Sequence, residues 1–386
     1  MKNNFILSLL FAASMLFSCA SSNESQIEPE NLVGEKLISD SANNDKYPNF
    51  VLNDDLLISS SVVDNSYYCS TLNGDKWDKA EILFERGNGH KEFHNIGLCD
   101  GPNNSLWVLD CPRSANALYS LTSIPDTKSM SAMKNKDSWD IYDLKGISNF
   151  VCFAENPVMV SDSTFLVLGT PFNDQAHLFS LVNFKTQKVT PLNFWPDDGI
   201  KCDILPKLSL YLCNSRIYGD GKGHYFYHCS LGRYAFLFSI DGNNVNVIKT
   251  IYSDYPIYGM DESRLNWEIH ASTYKPEELK STATKEKIYV LLIDCDKNGK
   301  KYEKLPTNCF MLGNVVEIYD WEGNKERVLH LDKCGTLIRV SRDNKKLYLH
   351  DGTKMKDEPI WVYDLEEQNN QSEYAVDKQE KGIGLQ

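Results

Sequence analysis

The residues in this chain whose types and spacing could do chemistry are few, and most fall short of a complete site. Asp294-Cys295-Asp296-Lys297-Asn298-Gly299 matches the first half of a calcium loop, where alternating oxygens converge on the ion and a glycine allows the sharp turn. The twelfth position is Leu305 and three lysines crowd the segment, so the bidentate acidic ligand is missing and a polar turn is the expectation. His90 and His94 stand four apart, but no glutamate directly follows the first histidine as the zinc-protease pattern requires. His224 and His228 share a strand face with Phe226; two histidines without a third ligand read as hydrogen-bonding residues. No Gly-x-Ser-x-Gly elbow, phosphate-cradling Gly-Lys-Ser/Thr loop or dinucleotide fingerprint occurs. The sequence thus assigns no catalytic residue, no metal site and no cofactor.

A second set of polar residues is defined by position. Asn95, Glu155, Asn156, Asn214, Arg216 and Arg339 each stand eight to eleven residues ahead of a short aromatic and β-branched motif, and His270 precedes another. The motifs begin at Leu56, Leu106, Phe165, His224, Ile288 and Leu347, spaced by 50, 59, 59, 64 and 59 residues. A period this regular, long enough for one four-stranded sheet per repeat, predicts an all-β, six-bladed β-propeller with antiparallel blades. Each motif is the second strand of its blade. Third strands are expected at 67–72, 117–121, 177–181, 235–240, 315–320 and 360–365. First strands, which line the central channel, are expected at 50–52, 96–99, 158–161, 210–218, 269–273 and 336–340. The seven polar residues then converge on the channel as candidate ligand-binding groups. Pro276 to Leu279 could open a short helix, and the long excursion from Ile293 to Asn314 sits between two strands of the fifth repeat.

The last repeat has no outer strand of its own after Leu365. A strand-like piece, Val33 to Ile38, precedes the first repeat, and its pairing with the sixth blade would close the ring and hide both edges. The expected organisation is a signal peptide at 1–18, a flexible tether at 19–32, the propeller at 33–366 and a polar tail at 367–386.

The apolar stretch from Phe5 to Phe17 is too short to span a bilayer and fits an export signal. Leu16-Phe17-Ser18-Cys19 resembles the lipobox of bacterial lipoproteins, which makes Cys19 the lipidated first residue of the mature chain. Attachment to the membrane would be through lipid alone. The expected location is the cell envelope, on the outer membrane facing the periplasm, with the cell surface as the alternative. A formal charge of −13 without any Lys/Arg run argues against nucleic acid as a partner. The 11 cysteines lack Cys-x-x-Cys spacing, and several lie in strand-like runs as small buried hydrophobes, so mostly reduced thiols are expected.

With lipobox, tether and six repeats together, the chain resembles the TolB-like six-bladed propeller lipoproteins of Bacteroidetes. The likeness rests on Gly87-Asn88-Gly89-His90-Lys91-Glu92-Phe93, on Val316 to Asn324 and on Trp361-Val362-Tyr363-Asp364-Leu365. It implies fold and envelope location, with no catalytic residues. The functional expectation is a lipid-anchored module that binds an unknown ligand or envelope protein. The alternative is a metal-assisted hydrolase of the lactonase or esterase kind, with Glu155, Asn156 and Asn214 as oxygen ligands and His270 or Glu268 acting on a bound water.

Overall fold

Each recurring motif forms the second strand of its own antiparallel sheet, because branched and aromatic side chains fit a pleated surface that is covered on both faces. In the computed structural model these strands are Leu56–Ser61, Leu106–Asp110, Thr164–Pro171, Tyr225–Cys229, Ile288–Ile293 and Lys346–His350. The structure describes residues 27–43, 46–51, 56–61, 63–64, 66–73, 76–89, 91–111, 117–152, 157–171, 177–200, 204–212, 215–230, 232–256, 259–260, 267–268, 278–303, 311–351 and 359–366. Innermost strands run at Lys46–Val51, Ile96–Asp100, Val158–Ser161, Arg216–Gly219, Glu278–Ala283 and Leu337–Val340. Third strands follow at Tyr67–Asn73, Ser120–Ile124, Phe179–Asn183, Tyr234–Asp241, Gly313–Tyr319 and Ile360–Asp364. Outer strands are Glu81–Phe84, Asp140–Asp143, Lys188–Pro191, Asn244–Ser253 and Lys325–Gly335 in the first five blades. The fold is a six-bladed propeller, as the repeat spacing predicts.

The second strands look continuously apolar because successive side chains point into different junctions. Leu106 and Val108 pack against the first blade, whereas Trp107 and Leu109 pack against the third. Ile288 and Val290 face the fourth blade, and Tyr289 and Leu291 the sixth. Among the described residues the buried apolar side chains fall into six clusters, one at each blade-to-blade junction. Sheets stacked in this way need neighbours on both faces, so no blade has a core of its own.

The chain closes the ring with its first described strands. Glu35–Lys36 pairs antiparallel with Ile360–Asp364 as the outer strand of the sixth blade, which is the closure expected from Val33 to Ile38. The same segment also reaches both neighbouring blades. Glu30–Leu32 runs parallel to the outer strand of the fifth blade, and Ile38–Ser39 runs parallel to Lys76–Trp77 of the first. Among the described residues, pairing begins at Glu30, inside the stretch expected as tether. Leu32 enters the junction of blades five and six, and Leu37 that of blades six and one.

Three strand expectations are corrected. The stretch from Ile204 to Leu212 is an α-helix with Pro206 in its first turn, and the innermost strand of the fourth blade starts only at Arg216. Leu208, Leu210, Tyr211 and Leu212 of that helix are buried between blades three and four. In the fifth blade the innermost strand is Glu278–Ala283, not 269–273, and no helix forms over Glu278 and Leu279. Glu278 and Lys280 alternate with buried Leu279 and Ser281, a period of two. The third strand of the second blade lies at Ser120–Ile124, a few residues beyond the expected 117–121.

The Gly87 to Phe93 motif is a tight lead-in to the second blade. The Glu92 carboxylate accepts from the Gly89 backbone N–H at 2.8 Å, and a Cβ on Gly87 would fall on that carboxylate. Phe93 then packs edge-on against Phe84, with ring centroids 5.2 Å apart.

Closure yields a stability prediction. Leu37 is 2% exposed, so Leu37→Ala should cost about 2–4 kcal/mol. Glu30 pairs with Arg327 at 2.8 and 2.6 Å, but with both side chains more than a quarter exposed, so Glu30→Ala should cost less than about 1 kcal/mol. Urea unfolding of the two variants checks this; the reverse ranking would show that closure rests on the ion pair and not on burial.

Candidate functional site

A cavity of about 560 Å³ is lined by residues of all six blades, most of them on the innermost strands of blades two to four. Ile96–Asp100, Val158–Ser161 and Arg216–Gly219 supply most of its wall; Thr282, Ala283 and Arg339 continue it, and Ser60 and Tyr67 of the first blade complete it. The close approach of the third and fourth blades demands Gly219, because a Cβ there would sit 2.6 Å from Val158 Cγ1. Asn95, Arg216 and Arg339 of the sequence-derived set line this cavity. Glu155, Asn156, Asn214 and His270 lie outside the described residues. For His270 the strand on which it was placed is also corrected, since the fifth blade lines the channel with Glu278–Ala283.

Each of the three lining residues is held by its surroundings. Asp110 Oδ1 accepts the backbone N–H groups of His94 and Asn95 at 3.0 and 3.1 Å, and the Asn95 side chain donates to Cys111 O at 3.4 Å. Arg216 Nη1 donates to Ser215 O at 3.0 Å, and Arg339 Nη1 donates to Ile338 O at 2.7 Å. Burial lowers the affinity of Arg339 for its proton, with Tyr218 opposing the effect, yet a guanidinium keeps its charge in proteins. Lys285 adds a third cation to the lining. Of the acids, Asp100 is bound by Arg342, and Asp162 stands in the turn after the third innermost strand. Burial raises the Asp100 carboxyl above its ordinary range, and Arg342 pulls it back in part.

Behind the wall, the fourth and fifth blades are tied by a polar network. Tyr218 Oη donates to Ser281 O at 2.6 Å, and Ser281 Oγ meets His228 Nδ1 at 2.6 Å. His228 Nε2 lies 3.2 Å from Ser230 Oγ, so both ring nitrogens are occupied. Burial, reinforced by Arg216 and Lys280, holds His228 well below its ordinary value of 6.5. Lys280 lies 3.8 Å from Glu278. Burial lowers Lys280 and raises Glu278, and each offsets the other in part.

The remaining motifs have structural roles. His224 pairs with Asp220 at 2.7 Å and does not share the partners of His228. Asp294 takes Arg233 at 3.3 Å and Lys301 at 3.0 Å, while Asp296 Oδ1 accepts the backbone N–H groups of Asn298 and Lys300. These carboxylates cap a polar turn. Among the described residues no group of three His, Cys, Asp or Glu side chains is placed to hold a metal ion.

Asp100, Asp162, Gly221 and Lys285 are lining residues that the sequence reading did not select. They sit three to six residues ahead of the second-strand motifs. The offset of eight to eleven residues reached the starts of the innermost strands and passed over the turns that follow them. Those turns form much of the cavity's rim, and no residue type or spacing in the sequence marks which of their side chains face it.

No family model matches the chain, and no curated protein sequence matches it. Solved structures similar to this chain include an oligogalacturonate lyase in complex with manganese, at 13% identity and TM-score 0.42, covering 88% of this chain and 98% of that one. A Bacteroides fragilis protein regarded as exported is 8% identical with TM-score 0.48, over 86% of this chain and 94% of that one. A luciferin-regenerating enzyme is 10% identical with TM-score 0.40, over 86% and 95%. At these identities the likeness concerns the fold and carries over no residue's role.

The buried neutral imidazole predicts a pH dependence. Below the ordinary histidine value of 6.5 the unfolded chain takes up a proton that folded His228 refuses. Its contribution to stability should therefore be lost as pH falls from about 6.5, at up to about 1.4 kcal/mol per pH unit. His228→Gln should flatten that segment of a urea-midpoint profile between pH 7 and 5; an unchanged slope would assign it to other groups.

Proposed function

We propose that this chain is a lipid-anchored envelope propeller of the TolB-like kind it resembles, and that its axial cavity binds a small organic anion. The observation that carries the reading is the lining itself. A chain with a formal charge of −13 presents Arg216, Arg339 and Lys285 to a cavity of about 560 Å³, while one of the two lining acids is taken by Arg342. Low-dielectric walls focus the field of such a cluster on whatever enters. Val158 and Met159, with smaller contributions from Ile96 and Leu98, supply apolar area beside the cations, a mixture that suits an acid with an apolar body better than an inorganic ion. Guanidinium groups pair bidentately with carboxylates and so would orient the ligand.

The anchor belongs to the same reading. Cys19 in its lipobox would hold the ring at a membrane surface by lipid, with the polar stretch up to Glu30 as the connection. Among the described residues no helix is long and apolar enough to cross a membrane.

Two measurements test these proposals. In a calorimetric screen of organic acids against neutral and cationic analogues of similar size, the acids should bind, and Arg216→Ala and Arg339→Ala should each weaken binding at least tenfold, about 1.4 kcal/mol. Equal binding of neutral analogues, or undiminished affinity in both variants, would remove the anion reading. Separately, Cys19→Ala should move the protein from the membrane fraction to the soluble fraction of its native host; a variant that stays with the membrane would refute lipid anchoring.

A further inference from the structure

The described ends of the fifth repeat's long excursion meet beside their own blade. Cys295 forms isolated bridges to both Lys301 and Leu312, and its side chain is fully buried. Facing it is Cys334, half-buried at the end of the outer strand Lys325–Gly335. Both are free thiols, and their sulfurs are 4.0 Å apart. Cys295 Sγ also lies 3.2 Å from Leu312 O and 3.9 Å from Asn314 Oδ1. Gly299, at φ +77°, has its missing Cβ position 3.9 Å from the Cys334 sulfur, and its backbone N–H donates to Asp296 O at 3.0 Å.

The two thiols are unlike each other. The facing Cys295 thiol and, to a lesser extent, the nearby Gly299 backbone hold Cys334 below the ordinary thiol value of 9.0, although burial opposes them. Donation to Cys334, together with burial, pushes Cys295 up. A half-exposed sulfur facing a fully buried partner is the arrangement of an attacking and a resolving cysteine. By contrast, Cys69 is fully buried, and burial pushes its thiol up to about 12.

We propose that Cys295 and Cys334 are a dithiol redox pair, which a disulfide-bearing oxidant closes into an intrachain disulfide with Cys334 attacking and Cys295 resolving. Cys334 loses its proton to water, and its thiolate attacks one sulfur of the oxidant. The oxidant's S–S bond breaks, and the departing sulfur leaves as a thiolate that takes up a proton. Cys295 then gives up its proton and attacks the Cys334 sulfur, which expels the second thiol of the oxidant. Two protein thiols are oxidised by two electrons and one disulfide is reduced to two thiols. Rotation of the half-exposed Cys334 side chain brings the sulfurs to the bonding distance of about 2 Å. The product ties the excursion to the strand that also carries Glu30–Leu32, so oxidation would stiffen one end of the ring closure.

The test is a non-reducing peptide map by mass spectrometry of the reduced mature chain after treatment with oxidised glutathione. The expected product is a Cys295–Cys334 linked peptide that dithiothreitol reverses. Cys334→Ser should abolish it, and Cys295→Ala should leave a glutathione adduct on Cys334 that persists. A disulfide from Cys334 to Cys309 or to any other cysteine would overturn the pairing, as would a persistent adduct in the unsubstituted chain or no reaction at Cys334.

Discussion

The constraint on which this structure depends is that a ring of sheets must be closed by a chain that is itself linear. Ten residues do it. Glu30 to Ser39 cross from the fifth blade to the sixth and on to the first, pairing with an existing strand in each. The junction they seal between blades six and one holds the smallest of the buried clusters among the described residues: Leu37, Leu57, Leu72, Trp77, Tyr348 and Ile360. Without Leu37 that junction would rest on side chains contributed by only two repeats. Parallel pairing of Glu30–Leu32 and Ile38–Ser39 also covers backbone groups that would otherwise form open edges.

Closure sets the geometry of the axis. The alternating side chains of the second and third strands are consumed by blade junctions, so they are not available for function. Apart from Ser60 and Tyr67 of the first blade, the cavity is lined by innermost strands and the segments flanking them. This explains why Arg216 and Arg339 occur on strands of four residues each, why Asp100 ends its strand, and why Lys285 stands just past one. The polar network behind them, from Tyr218 through Ser281 to His228, keeps the fourth and fifth blades in fixed relation at the wall.

A second tie between the same blades lies at their periphery. Burial alone would raise Glu317, but Lys325 and the hydroxyls of Tyr252 and Tyr319 hold it below the ordinary carboxylate range. Tyr252 belongs to the outer strand of the fourth blade and Glu317 to the third strand of the fifth. The contact is therefore made between blades, and it fixes the spacing of their outer parts as the wall network fixes the inner ones.

The blade number, the second strands and the closing role of the residues before the first repeat were all legible in the sequence, because strand alternation and repeat spacing are local properties of a chain. Leu106-Trp107-Val108-Leu109 announces a strand packed on both faces wherever it stands. The helix Ile204–Leu212 and the innermost strand Glu278–Ala283 were not legible: apolar residues in the first are consistent with either period, and Glu278 and Lys280 in the second mask a short strand whose alternate residues Leu279 and Ser281 are buried. The cavity was legible in part, through Asn95, Arg216 and Arg339. Its rim and the facing thiols of Cys295 and Cys334 were decided by the tertiary structure alone. Residues far apart in the chain meet there only because each innermost strand ends where the packing of its neighbours ends it, and no local pattern in the sequence records that length.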